Sequence, residues 1–307
     1  MESIVASGQD FLVGPLSYDV LQDQASYVTS RRNTQTFANV SEVGPQSVKS
    51  LKVQLADPSG FLDLSTLCFS FTVSNNSTTL PLQPLTAIPH NYFRRLILKC
   101  SGALIEDVNG LGRTEEMFTR YMSLAKRQNL ASMGHGAISG SGRGDDMFAF
   151  PIAAELEKKV VWRPQTSGLL NCGKFLPAML LGGGGLTIEL ELAEAEEAVR
   201  SHAATDSTTY SLKDIVCHVD SCTLTSELTD QYSSMLLSGR SIMISYQAMD
   251  VTTQYLANTG GNYTLNLAKQ FTRLDTVFCS LDQEEAVTAA ETATLQTSDI
   301  NKLYLST

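Results

Sequence analysis

Residues 91–109 read Asn91-Tyr-Phe-Arg-Arg-Leu-Ile-Leu-Lys-Cys-Ser-Gly-Ala-Leu-Ile-Glu-Asp-Val-Asn109. The apolar run up to Cys100 has the make-up of a strand, Ser101-Gly102 that of a tight turn, and the run from Ala103 that of a second strand folding back. An amphipathic helix follows at once, from Arg113 to Asn129, with Thr114 as its N-cap. Glu115 and Glu116 in its first turn and Lys126 and Arg127 in its last suit the helix dipole. Met117, Tyr121 and Leu124 form its expected apolar stripe, with Phe118 and Met122 beside it.

Working outward, apolar residues alternate with polar ones at Leu51, Val53 and Leu55, at Leu67, Phe69, Phe71 and Val73, and at Leu186, Ile188, Leu190 and Leu192. The pattern continues at Ile215, Cys217 and Val219, at Ile242, Ile244 and Tyr246, and at Tyr263, Leu265 and Leu267. Period-two alternation means sheets with one face on a core. Asp57-Pro-Ser-Gly60 and Ser74-Asn-Asn-Ser77 supply turn chemistry between strands. A second helix is expected from Ser226, with Leu228, Tyr232, Met235 and Leu236 on one face and a stop at Gly239. Many strands and two inserted helices predict an all-β chain of sandwich or jelly-roll architecture.

The 307 residues carry a net charge of −10, with 43% hydrophobic and 18% charged residues. That balance argues against a surface that wraps phosphate backbones, which needs Lys and Arg, and no direct nucleic-acid binding is expected. No apolar run approaches the ~20 residues of a membrane helix. The opening Met1-Glu-Ser-Ile-Val-Ala-Ser7 lacks the pattern of a signal peptide, so a soluble protein made in the cytoplasm is expected.

The six cysteines (Cys68, Cys100, Cys172, Cys217, Cys222 and Cys279) are scattered among apolar segments and read as buried free thiols. The odd offset of Cys217 and Cys222 puts them on opposite faces of one strand. With four histidines in the chain, no metal site is expected. Gly168-Leu-Leu-Asn-Cys-Gly-Lys-Phe175 has the glycine and lysine spacing of a P-loop, but Phe175 replaces the magnesium-holding hydroxyl and Pro177 obstructs the helix that should follow. The run Gly134 to Asp146 follows a helix and leads into none, so it reads as a flexible loop; its Arg143-Gly-Asp145 reads as a chance match to the integrin tripeptide. No cofactor is expected.

Glu189 and Glu191 share one face of one strand, whereas a glycosidase needs carboxyls facing each other across a cleft. With Glu194, Glu196 and Glu197 they read as a solvated acidic edge. His218 adjoins Cys217 but points to the other face, so the two form no nucleophile–base pair. Asn39, Asn75, Asn76 and Asn262 fall in N-x-[ST] sequons, read as chance matches. No catalytic constellation emerges, and the chain reads as a non-enzyme.

These pieces together resemble the double jelly-roll major capsid proteins of eukaryotic DNA viruses, of the Polinton-like and nucleocytoplasmic large kind. Ser30-Arg-Arg-Asn33, Gly44-Pro45 and Gly60-Phe-Leu-Asp63 are similar to the opening of that family's first sandwich, followed by the hairpin from Phe93 to Asp107 with its helix. Ser167 to Pro177 and Leu186 to Leu192 look like its late strands, and Tyr210 to Thr223 with the helix ending at Gly239 resembles its closing strand and connector. Asn262 to Leu281, including Phe271 to Phe278, looks like the first strands of a second sandwich.

The resemblance implies an N-terminal arm (1–30), a complete first jelly roll with a connector helix (31–240), and the beginning of a second (241–307). Less chain follows Gly239 than ~8 strands with turns every ~8–12 residues require, so the second sandwich is expected to be partial. The implied function is self-assembly into homotrimeric, pseudo-hexagonal capsomers of an icosahedral virion, with neighbouring capsomers and minor capsid proteins as partners. The arm, the helix 113–129 and the loop 130–147 are the expected contributors. Alternatives are a lectin-like binding module, disfavoured by the single Trp162, and a single-jelly-roll minor vertex protein, disfavoured by the strand signals after Ser241.

Overall fold

The hairpin forms as the pattern demands. Strands Phe93–Cys100 and Ala103–Asn109 pair antiparallel, with Leu98 opposite Glu106 and Leu96 opposite Val108. Ser101 (φ 47°) and Gly102 (φ 86°) both adopt the left-handed turn conformation that two-residue hairpins require, which a glycine tolerates without strain. The computed structural model describes residues 28–57, 60–136, 138–139, 147–181, 184–200, 205–252 and 273–279.

Among these residues, eight strands have six residues or more: β1 (Val28–Phe37), β2 (Ser50–Leu55), β3 (Phe61–Asn75), β4 (Phe93–Cys100), β5 (Ala103–Asn109), β6 (Glu157–Trp162), β7 (Leu186–Leu192) and β8 (Tyr210–Leu224). They form two antiparallel sheets, one ordered β1-β8-β3-β6 and the other β2-β7-β4-β5. Numbered along the chain, the orders 1-8-3-6 and 2-7-4-5 are the wiring of a jelly roll, two Greek keys rolled into a sandwich. A complete jelly roll therefore spans residues 28–224.

The core lies between the sheets. Phe69, Phe71, Phe93, Trp162 and Ile188 are fully buried there, with Phe93 stacked on Trp162 at 4.7 Å and edge-on to Phe71 at 5.4 Å. Each such side chain contributes roughly 1.5–3 kcal/mol of burial. A second apolar cluster joins the outer face of the first sheet to a connector helix at Ser226–Leu237: Phe61, Phe175, Cys222 and Leu224 meet Leu228, Tyr232 and Met235. Cys217 faces the main core and Cys222 this second one, so the odd offset does separate them. Only these two cysteines are fully buried; Cys68, Cys100 and Cys172 are half-buried and Cys279 is exposed, which corrects the expectation of uniformly buried thiols.

The expected helix 113–129 is two helices. The insertion after β5 consists of α1 (Leu111–Tyr121) and α2 (Leu124–Met133), broken where Ser123 turns extended and its side chain caps the amide of Lys126. Thr114 is not an N-cap but a buried residue of the first turn. The helix also faces the other way: Leu111, Thr114, Glu115 and Thr119 turn inward, while Tyr121 is 78% exposed. A buried carboxylate anchored by hydrogen bonds outweighs the apolar stripe in setting this orientation. The short turn Ala195–Ala198 (α3) precedes β8, and the connector helix is α4. Its C-terminal Gly239 has φ 81°, ending the helix where expected.

Residues 241–252 form no strand, although Ile242, Ile244 and Tyr246 alternate. They run along the sandwich instead: Ile244, Tyr246 and Val251 pack on the main core, and Ile242 and Ile244 on the second. The Tyr246 hydroxyl lies 3.4 Å from the Ile105 carbonyl, beside edge strand β5. Residues 273–279 are likewise outside any strand. The expected strand at Tyr263 to Leu267 lies outside the described residues, as does most of the expected arm, whose residues 28–30 belong to β1.

Candidate functional site

Period-two alternation from buried Val108 sends Glu106 inward, toward the loop that precedes the seventh strand. Its carboxylate accepts hydrogen bonds from Ser167 Oγ at 2.7 Å, Gly168 N at 2.8 Å and Leu169 N at 3.4 Å. One turn into α1, Glu115 does the same for the preceding residues. Its Oε1 accepts from Gln165 N at 2.6 Å, Thr166 N at 2.8 Å and Thr166 Oγ1 at 2.9 Å. Burial raises the pKa of Glu115 above the usual carboxylate value, although these donors and nearby His90 act against the rise.

This accounts for the P-loop look-alike. Amides a phosphate would use at Gly168 and Leu169 are taken by the protein's own Glu106. Phe175 is not at a helix start but in a two-residue strand, Phe175–Leu176, paired with β3. The sequence belongs to a loop whose residues 165–169 grip two of the protein's own carboxyl groups, and is not a nucleotide cradle.

A turn of 3-10 helix, Pro89–Tyr92, fastens both helices of the insertion. His90 Nε2 lies 3.1 Å from Glu116 Oε2 on α1, and the Tyr92 hydroxyl lies 3.1 Å from His135 Nε2, just past α2. Burial opposes ionisation of Glu116, but the bond from His90 and the neighbouring Arg120 hold its pKa down to about 2. Pattern reasoning passed over Glu106, Glu115, His90 and His135. Only Glu106 carried a signal, the parity set by Val108.

The remaining sequence candidates resolve into structural bonds. Arg31 links Asp63 Oδ2 at 2.8 Å with Asp220 Oδ2 at 2.9 Å, and Asn33 Nδ2 donates to Asp220 Oδ1 at 2.9 Å. Ser30-Arg-Arg-Asn33 thus pins an edge strand across β8 to β3. Arg95 makes a bidentate pair with Asp107, at 2.8 and 2.7 Å. Glu189 sits on the flat outer face between Lys99 (2.6 Å) and Lys52 (4.0 Å), so no cleft separates it from Glu191. His218 Nε2 lies 2.8 Å from Ser70 Oγ, opposite Cys68; this is a Ser–His contact on an open sheet face, and among the described residues His218 has no second side-chain partner.

Asn75 is buried and donates to the carbonyls of Leu80, Ile152 and Ala153, which makes its sequon structural. Asn39 accepts from Lys52 N and Asn76 from Ser211, while Asn262 and the Arg143-Gly-Asp145 tripeptide lie outside the described residues. Trp162 is core and offers no sugar platform. Among the described residues no three or more His, Cys, Asp or Glu side chains could jointly hold a metal ion, and no helix is long and apolar enough to cross a membrane.

Outward, α1 presents Phe118 and Tyr121, on which Phe278 packs at 5.0 and 5.6 Å. Leu274 and Val277, in the same segment as Phe278, are exposed.

No family model matches the chain, and no curated protein matches its sequence. Among solved structures it is similar to VP54 of the virus PBCV-1, fitted into a reconstruction of the virophage Sputnik, at 12% identity and TM-score 0.49, covering 69% of this chain and 46% of that one. It is similar also to a chain of the PBCV-1 capsid at 12% identity and TM-score 0.48, with the same 69% and 46% coverage. A third is the Faustovirus major capsid protein, at 9% identity and TM-score 0.43, covering 70% of this chain and 58% of that one. The chain spans about half the length of the solved chains it matches.

Proposed function

We propose that the chain is a structural protein of a virus shell, the described sandwich being the first jelly roll of a double jelly-roll capsid subunit. In this reading the boundaries are 1–30 for an arm, 31–240 for the first jelly roll with its connector, and 241–307 for the start of a second. Three copies join in a pseudo-hexagonal capsomer, and capsomers tile an icosahedral virion with minor capsid proteins, after synthesis in the host cytoplasm. The role is mechanical and involves no catalysis.

The observation that carries the reading is the 1-8-3-6/2-7-4-5 wiring combined with an insertion whose apolar side points out. The capsid-like wording of the sequence falls on residues that build this sandwich: Arg31 and Asn33 at its edge, Phe93 in its core, and Arg95, Glu106 and Asp107 in its hairpin. An exposed aromatic surface on a rigid scaffold is what subunit association uses, and closed trimers bury such surfaces. The net charge of −10 suits a shell that does not hold nucleic acid by its surface.

The test is the solution mass of the purified chain by light scattering, with negative-stain imaging of the same peak. The expected result is a trimer of hexagonal outline. A clean monomer would overturn capsomer formation by this chain alone.

A further inference from the structure

The insertion is fixed to the sandwich at His135 in an unusual way. The ring is fully buried, with Nε2 on the Tyr92 hydroxyl at 3.1 Å and the two rings 5.6 Å apart. Its Nδ1 has no hydrogen-bond partner among the described residues. Three elements pack around it. The 3-10 turn brings Tyr92, β8 brings Tyr210 behind Tyr92 at 5.2 Å, and β6 brings Lys158. Lys158 Nζ donates to the His135 carbonyl at 2.7 Å, and Tyr210 spends its hydroxyl on the Ala193 carbonyl. A second proton on the ring would therefore sit in an apolar pocket beside a cation, with no carboxylate pairing with it among the described residues.

The backbone here depends on the same contact. His135 N donates to the Ala87 carbonyl at 2.8 Å, Gly136 N returns to Ala131 at 2.8 Å, and Phe150 N reaches the His135 carbonyl at 3.2 Å. Ala131 packs with Ala87 and Ile88 in a small separate cluster. The end of α2 is thus held by one buried ring, by these hydrogen bonds around His135 and by one small apolar cluster.

We propose that the Tyr92–His135 contact is an acid-released clasp: a proton taken up by the His135 ring detaches the end of α2 from the sandwich. Burial, reinforced by Lys158, pushes the ring's pKa from the usual 6.5 down to about 3. Opening restores the usual value, so the clasp is fully favoured above about pH 6.5 and weakens as pH falls toward about 3. Over that range the opening constant rises about tenfold per pH unit, one proton's worth. Between about pH 6.5 and about pH 5, Glu116, held down to about 2, stays ionised, while Glu115, raised by burial, favours the closed state as pH falls and so acts against the opening slope of the histidine.

Amide hydrogen exchange of the full chain, corrected for intrinsic rates and referenced to α4, tests this from about pH 7 to about pH 5. Below about pH 6.5 the α2 amides should open about tenfold more per pH unit in the wild type, with a flat profile above it. H135Q should abolish that slope, and H90Q, which removes the histidine of the 3-10 turn, should leave it. A flat wild-type profile, or a slope that survives H135Q, overturns the proposal. His135→Phe, which fills the pocket with an apolar ring, serves if H135Q does not fold. If neither folds, the wild-type slope decides alone: less than half a proton rejects the clasp.

Discussion

The Glu106 carboxylate, on the second strand of the hairpin, accepts the hydroxyl of Ser167 at 2.7 Å across 61 positions of chain. It ties the edge of one sheet to the loop that crosses between sheets, in a place where both partners are buried. Charge-assisted bonds of this kind are about twice as strong as neutral ones, and an orphaned partner is costly.

Replacing Glu106 should therefore destabilise the sandwich without changing its architecture. E106A leaves Ser167 Oγ and two amides without their acceptor, and a loss of about 1–3 kcal/mol is expected. S167A removes one donor alone and should cost about 1 kcal/mol. Urea unfolding checks both, with the midpoint moving and the slope unchanged.

Gly168 lies so close to the segment after α4 that a Cβ there would come within 1.8 Å of the Gln247 carbonyl oxygen. G168A should push residues 241–252 off the loop while leaving the eight strands intact. Limited proteolysis is expected to cut that segment faster in the variant, with far-UV circular dichroism unchanged. Equal cutting rates would show that the segment is not held at Gly168.

How much of this was legible beforehand differs by element. The strands at Leu51 to Leu55, Leu67 to Val73 and Leu186 to Leu192 follow from alternation alone, because each buries one face. The insertion did not follow, because Met117 and Tyr121 look like a core-facing stripe and only the tertiary fold reveals that Glu115 meets Gln165 and Thr166. A carboxylate's partners some fifty residues away leave no local periodic signal. Ile242 to Tyr246 shows the converse, a strand pattern without a strand: alternation reports burial of one face, and packing on an existing sandwich supplies that burial without a ladder.

Acid should weaken the attachment of α1 through Glu116. Its pKa is held at about 2 against an ordinary 4.5, so its contribution is complete above about pH 4.5 and is lost as pH falls toward about 2. Glu115 works in the opposite sense: its raised value contributes below about pH 4.5 and fades as pH rises. Stability profiles of E116Q and E115Q across about pH 3 to pH 6 should therefore depart from wild type in opposite directions. Profiles that bend the same way would contradict the His90–Glu116 pairing.

Thiol labelling in the native state should be strongly ordered. Cys279 is exposed and reacts first, whereas Cys217, buried and with its pKa pushed well up by that burial, reacts only on unfolding. Cys222, beneath α4, should follow Cys217 rather than Cys279. Mass spectrometry of timed alkylation checks the order, and early modification of Cys222 would mean that α4 lifts from the sheet.

The wiring also sets a timetable for synthesis. Among the described residues β1 pairs only with β8, the last strand of the sandwich to be made, with Arg31 waiting for Asp220 across 189 positions. At ~5–20 residues per second, roughly ten to forty seconds pass between the emergence of one and the other. Throughout that time the first sheet lacks a central member: β1 has no strand to pair with, and β3 has only β6, with its other edge open. A nascent chain of this design depends on whatever shields those edges until residue 224 arrives.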